Sequence, residues 1–430
     1  MDHDSLLEPS WAEAHAAAYA AARPVPAERV PLVEAVGRVL AEPAVALMNL
    51  PRSTTSAMDG WVVSGETGPW ELVGSSLAGH PMRRALAPGT AAVIATGGVV
   101  PAGAFGVLRR ELGSVRTADG GAWAEGDGPA WVHADPPADG QPAEPAAGSH
   151  VRPAGLEAAQ ADVLVAPGRV LTPPQVGLAA MAGNDGLTVH RPVTAALLVM
   201  GDEVRHDGLP GEGEVRDAFA PQLPHLARML GLVTGPATFV ADTLDAAVEA
   251  IRACEADVVL TTGGTAAGPA DYLHRALTVL GAELVVDTVA MRPGHPVLLA
   301  RLQDGRSLVG LPGNPLSAMA GVLTIVRPLA LGLRGLPPVV LGRAVTAGAV
   351  GAPAHDSRLV PYVRVPDVDG LGGLLERDVA AGTTRGVLAR PTAWLGSGML
   401  RGLAGADGVL VVPPGGVQAG AVVPDLPLPW

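Results

Sequence analysis

The chain contains no lysine; all 29 of its basic residues are arginine. A site that elsewhere relies on an ammonium group must here use a guanidinium, an imidazole or a backbone N–H. One cysteine, Cys254, excludes a disulfide framework and a cysteine-ligated zinc site. Its place at the end of a helix-like stretch fits a small buried apolar residue. Aromatic residues are 3% of the chain, so its cores must be built from Val, Leu, Ala and Met. Basic charge is in deficit, 29 against 42 acidic residues, for a net charge of −13. A nucleic-acid surface would tilt this balance the other way, so nucleic acid is not an expected partner. The longest apolar runs are broken by Gly, Pro or charge before membrane-spanning length. The first nine residues carry Asp2, Asp4 and Glu8, the opposite of a secretory leader. A cytoplasmic protein with no membrane partner is expected.

What is present is enough apolar sequence, 48% over 430 residues, for several domains with separate cores. Ser10 and Glu13 form a capping-box pattern that opens an alanine-rich helix to about Ala22, ended by Pro24 and Pro26. Apolar spacing predicts a second helix from Val30 to Glu42. From 48 to 149, short runs such as Trp61-Val62-Val63 and Ala92-Val93-Ile94 between Gly and Pro turns predict a β-rich domain. Its distal part, 118–149, reads as loop.

From 191 to 335 the pattern is strand, helix, strand, helix. Thr194–Met200, Val233–Val240 and Asp257–Thr262 are the strands; helices are expected over Ala220–Leu232, over Thr243–Cys254 and from Asp271 onward. Fully apolar strands mean a doubly wound parallel sheet covered on both faces, with ligands outside the strand carboxyl ends. After Pro337-Pro338 a C-terminal β domain, 336–430, is expected. The fold class is multidomain α/β plus β.

Several segments could carry chemistry. The loop from Gly263 and Gly264 to Gly268 follows a strand and precedes a helix, so its N–H groups can approach a phosphate; such a turn is equally a common structural feature. Pro312-Gly313-Asn314 opens another helix, where Asn314 is a cap, Pro315 suits the first turn and Ser317 follows; a cap is a full explanation by itself. Arg292-Pro293-Gly294-His295-Pro296 is a rigid turn with a guanidinium suited to oxyanions and a histidine able to assist when protonated. Asp59, Glu203 and Asp271 sit beside glycines or turns and would suit a divalent metal if they converge.

In this order, the segments resemble one family. Ser56-Ala57-Met58-Asp59-Gly60, Thr96–Gly103, Gly201-Asp202-Glu203, Asp217, the Gly263–Asp271 loop, Pro293-Gly294-x-Pro296 and Leu311–Ala318 follow the pattern of the molybdopterin molybdenumtransferases, the MoeA family. Gly396–Leu400 and Ala406-Asp407-Gly408 match its C-terminal domain, so the resemblance covers essentially the whole chain. It implies a discontinuous first domain, 1–47 with 150–190, a second domain 48–149, and an elongated homodimer. It also implies an activity: adenylated molybdopterin and molybdate are taken, Mg²⁺ or another divalent cation is bound, AMP is released and molybdenum is left on the dithiolene.

By matching position, Asp59, Glu203 and Asp271 are the implied metal and phosphate groups, Thr96 lines the cleft, and Arg292, His295, Pro296, Ser397 and Arg364 are the implied molybdate groups. The chain departs from the family pattern at Arg292 and His295, where two lysines are usual, at Ala266, where a serine is usual, and at Met200 and Phe219. Arg358 and Arg364 are one residue further apart than in the pattern. The alternatives to an enzyme are a non-catalytic paralogue that binds molybdopterin or a nucleotide, or a scaffold such as the gephyrin E domain.

Overall fold

The computed structural model describes residues 6–117, 119–124, 128–135, 145–264, 272–366 and 387–430. It divides into two units, Arg29–Val189 and Met1–Glu28 with His190–Trp430.

In the second of these, an eight-stranded sheet runs Leu6–Leu7, Glu283–Asp287, Leu298–Arg301, Ser307–Leu311, Val258–Thr262, Val193–Met200, with Leu232–Thr234 and Thr238–Val240 sharing the last edge. Only Leu298–Arg301 runs against its neighbours. Residues of alternate parity go to two cores. Ala195, Leu197 and Val199 join Leu260 and Val309 on one face, under Trp11 and Leu316–Leu329. Leu198, Met200, Val259 and Leu308 face Val248, Ile251, Leu273 and Leu277 on the other. Burial on both faces is why the strands read as continuous apolar runs.

The expected strand over 233–240 is two short strands, because Pro236 has no N–H for the ladder. The helices Leu223–Met229 and Leu244–Ala253 are each shorter than expected, and a third runs Tyr272–Val279. Cys254 ends the second of these and is half-buried. Among the described residues, one helix, Pro315–Leu333, is long and apolar enough to cross a membrane, but 89% of it is buried within the protein. It is a core helix, with a π-turn over Val322–Val326 ahead of Pro328, which offers no N–H to the preceding turn. The N-terminal helix, Trp11–Ala20, starts with the Ser10–Glu13 capping box and docks here: the Trp11 Nε1–H donates to Thr324 Oγ1 at 3.0 Å.

The C-terminal strands close into a small barrel. Ser357–Arg364 pairs with Val387–Pro391 and with Gly408–Val412, and Gly342–Thr346 and Val422–Pro427 complete the ring. Met291–Arg292 adds to the free start of Ser357–Arg364 in parallel register. Val360, Tyr362, Leu410, Val412 and Val423 fill the interior.

The unit Arg29–Val189 holds a six-stranded sheet in the order Gly106–Arg109, Gly60–Val63, Thr90–Ile94, Trp70–Ser76, Ala130–Ala134, Gly113–Thr117. The expectation that 118–149 is loop is corrected by Ala130–Ala134, which pairs residue for residue with Gly113–Thr117. The expected helix Val30–Glu42 is also corrected. Only Leu32–Ala35 is helical; Gly37 takes φ +81°, and Val39 and Leu40 bridge to Val170 and Val189. Long-range backbone pairing overrides the helical spacing there.

Candidate functional site

Strand register aligns three motifs. Val199 pairs with Thr262, and Thr262 with Leu311, so Gly201-Asp202-Glu203, Gly263-Gly264 and Pro312-Gly313-Asn314 leave the sheet side by side at its carboxyl edge. Gly263 has φ +83°, and a Cβ on it would lie 3.1 Å from the Met200 carbonyl. Its N–H donates to the Leu311 carbonyl at 3.0 Å, and the Gly263 Cα lies within ordinary contact of where a Gly313 Cβ would be. The glycines thus let two loops approach closely. Gly268 and Asp271 lie outside the described residues. The Thr261 and Thr262 hydroxyls, at the end of the central strand, are buried and have no hydrogen-bond partner among the described residues.

Acidic groups crowd the first of these turns. Asp202 and Asp242 exchange backbone N–H bonds to each other's carboxylates, at 3.4 and 3.2 Å. Burial, then repulsion from Asp202 and Glu203, pushes Asp242 above the usual carboxylate range. Asp217 is occupied by its own loop. Its Oδ1 accepts the N–H of Phe219 at 2.7 Å and of Ala220 at 3.2 Å, fixing the turn ahead of Leu223–Met229.

The helix start at Pro315 is not a free anion site. The Leu316 and Ser317 N–H groups both donate to the Ser397 carbonyl, at 2.9 and 3.1 Å. Asn314 occupies the cap position without a side-chain cap bond, and Ser317 is buried. Ser397 thereby ties the C-terminal loop to this helix.

Beside it opens a cavity of about 530 Å³, lined by Arg292, Pro293, Gly351, Ala352, Pro353, Arg358, Leu395 and Ser397. Arg292 Nε lies 3.2 Å from Asp356 Oδ2. Arg358 donates to the Gly351 carbonyl at 2.8 Å. Two residues expected here go elsewhere. The His295 ring faces Glu8, Nε2 to Oε1 at 3.0 Å, and neither it nor Pro296 lines the cavity. Arg364 is at the far end of its strand, about 20 Å from Arg358 at six residues' rise. Burial pushes the Tyr362 hydroxyl up to about 12 and raises Asp425, and Arg364 beside them favours the charged form of both.

Asp59 and Thr96 belong to the other unit. Asp59 Oδ1 accepts the Thr96 N–H at 2.6 Å and its hydroxyl at 3.0 Å, which hold the carboxylate below its ordinary range. Among the described residues, no group of three His, Cys, Asp or Glu side chains is gathered tightly enough to hold a metal by itself.

Three family models account for most of the chain. Residues 9–183 match the MoeA N-terminal region (domain I and II), 196–331 a "Probable molybdopterin binding domain", and 379–428 the MoeA C-terminal region (domain IV). The chain belongs to the MoeA family.

Relatives named molybdopterin molybdenumtransferase include that of Staphylococcus aureus (strain MRSA252), 26% identical over 71% of each chain. That of Staphylococcus epidermidis (strain ATCC 12228) is 24% identical over 91% of this chain and 89% of its own. A molybdopterin biosynthesis MoeA protein from Pyrococcus horikosii shares the fold, with TM-score 0.76 and 22% identity over 98% of this chain and 99% of its own.

Two departures of this MoeA family member from the family pattern have a packing reason. Phe219 is buried in the core with Leu223 and Leu226, and Met200 packs with Ala247 and Leu273 on the opposite face of the sheet. Sequence reading missed Arg358, Asp356 and Asp242 as site residues. The signal for Arg358 is its register with Arg292, which appears only when the two strands pair.

Proposed function

We propose that this chain is a molybdopterin molybdenumtransferase, acting in molybdenum cofactor biosynthesis. It takes adenylated molybdopterin and molybdate, releases AMP and leaves molybdenum on the dithiolene. The observation that carries this reading is the meeting of three strand-end motifs with the Arg292 cavity around one helix start, joined by the Ser397 carbonyl. The glycine turn gives a phosphate ester a backbone surface, and the cavity gives an oxyanion the two arginines Arg292 and Arg358 beside Ser397 in otherwise apolar walls.

Glu203 and Asp271 are the carboxylates for a divalent cation in this reading, with Asp59 and Thr96 entering through their motif alone. Magnesium commonly takes one or two carboxylates plus substrate phosphate oxygens. The crowding of Asp202, Glu203 and Asp242 fits such an ion, since their mutual repulsion would fall when one is bound. Bound there, it would neutralise charge on the phosphates as AMP leaves. Asp217 keeps the turn ahead of Leu223–Met229 in place.

The protein works in this reading as a cytoplasmic homodimer. Val33 is 89% exposed, and Leu47, Val163 and Met181 are half or more exposed on the same unit, apolar side chains that a second copy would cover. The test of function is complementation of a cell lacking its own molybdenumtransferase. Restored molybdoenzyme activity supports the enzyme. Binding of molybdopterin without restoration, even with excess molybdate, would make the chain a binding paralogue.

A further inference from the structure

We propose that the groove between the helices Leu223–Met229 and Arg401–Ala404 docks another protein, and that its occupant is an acidic peptide segment anchored by large apolar side chains.

The groove encloses about 380 Å³. Sites that take a ligand or an anchoring side chain span about 300–1,000 Å³. Met229, Met319, Leu400, Leu403 and Trp430 line it. Met229 is 57% exposed and Trp430 51%, so large apolar side chains face water here. Methionine is unbranched and adapts to the shape of what it meets, and tryptophan is among the residue types that carry most of the energy at protein interfaces. A groove walled by helices suits a peptide laid along it. No residue lines both this groove and the Arg292 cavity.

Charge selects the occupant. The chain as a whole has 29 basic residues against 42 acidic. Around the groove the balance is reversed: Pro221–Leu230, Trp394–Ala406 and Leu426–Trp430 contain His225, Arg228 and Arg401 but no Asp or Glu. Arg228 sits one turn beyond His225, which lines the groove, and meets the His225 ring at 3.3 Å and the Thr234 carbonyl at 3.4 Å. Arg401 stands between Leu400 and Ala404, both lining residues, with its guanidinium 4.8 Å above the Trp394 ring. Among the described residues, no carboxylate pairs with either arginine within salt-bridge distance. In the wall, Gln222 Nε2 is buried and has no hydrogen-bond partner among the described residues. Carboxylate and carbonyl oxygens of a seated segment are acceptors for these donors. A basic segment would be repelled by both arginines, so complementary potential favours an acidic one.

The test is selection of a phage-displayed random-peptide library on the purified full chain, followed by fluorescence anisotropy on the enriched peptides. Enriched sequences should combine Leu, Phe or Trp anchors with Asp or Glu. Met229→Glu, at an exposed position, should weaken their binding about tenfold or more. Arg228→Glu with Arg401→Glu should weaken it several-fold and flatten its dependence on salt. On the unsubstituted chain, a bound peptide should shift the methyl resonances of Met229 and Met319 and leave those of Met48 and Met181 in place. This second readout holds even if a variant folds poorly. Enriched peptides that are basic or uncharged, that bind Met229→Glu as well as the native chain, or that shift only other methionines would overturn the proposal, as would no enrichment at all. So would a fall in sedimentation mass to 43.3 kDa in Met229→Glu, which would make the groove a contact between copies of this chain.

Discussion

Gly294 connects the fold to the cavity, and Gly294→Ala should damage both. Its φ is +107°, a conformation that L side chains rarely adopt, and an added Cβ would meet Met291 Cε at 2.7 Å, the Ser317 carbonyl at 3.1 Å and Ala320 Cβ at 3.2 Å. The backbone strain costs about 1–3 kcal/mol. The crowding adds about 1–3 kcal/mol, because Ser317 and Ala320 are fixed in a buried helix. Gly305 is the control: it has φ +89° but nothing within 4 Å of a Cβ, so alanine there costs only about 1–2 kcal/mol. Thermal melts and molybdate calorimetry on both variants give the comparison. Gly294→Ala should melt several degrees lower than Gly305→Ala. It should also bind molybdate more weakly, because the turn that carries Arg292 must move away from the helix that Ser397 holds. Equal melting of the two variants would refute the steric reasoning. Unchanged affinity in Gly294→Ala would refute the link between turn and cavity.

Two further predictions concern stability and assembly. Burial acts to raise Asp257, but the two-pronged contact from Arg191, at 2.6 and 2.8 Å, and two bonds from Thr194 outweigh it and hold the carboxyl below its usual range. A depressed carboxyl stabilises the fold above its unfolded value of about 3.9 and loses that contribution as pH falls through the lower folded value. Asp257→Asn should therefore cost about 1–2 kcal/mol at pH 7 by urea melts, with the gap to wild type closing below about pH 4. A gap that persists at low pH would contradict this. Val33→Asp with Met181→Asp should reduce the sedimentation mass from a dimer to 43.3 kDa if that apolar surface is the self-association face; a dimer that survives both removes it.

The apolar strands of the large sheet were legible in the sequence because both of their faces are buried, so no polar residue interrupts Leu197–Met200 or Val258–Leu260. The Ser10–Glu13 cap was legible because its partners are three residues apart. The stretch Val30–Glu42 was not. Its apolar spacing suits a helix, but the backbone groups of Gly37 and Leu40 find partners at Leu171 and Arg169, more than a hundred residues on.

The site divides in the same way. Glu203, Gly263, Gly264, Pro312, Gly313 and Asn314 were found because each directly follows a recognisable strand. His295 was read as an oxyanion group, yet its ring is turned by Glu8, 287 residues away, a contact no local pattern reveals. Arg364 followed the family motif, while the strand's parity and its register with Met291–Arg292 put Arg358 in the cavity. Local sequence predicts where a residue leaves a strand; which neighbour it meets is decided by register.

The molybdenumtransferase reading is tested most directly by incubating the purified chain with adenylated molybdopterin, Mg²⁺ and molybdate, and measuring AMP release. Release should require molybdate and fall sharply in Arg292→Gln, whose guanidinium lines the cavity. It should also be flat in pH from 6 to 8, since the cations facing the cavity are guanidinium groups and not the His295 imidazole. AMP release that is independent of molybdate, or no release under conditions where the chain binds both substrates, would contradict that reading.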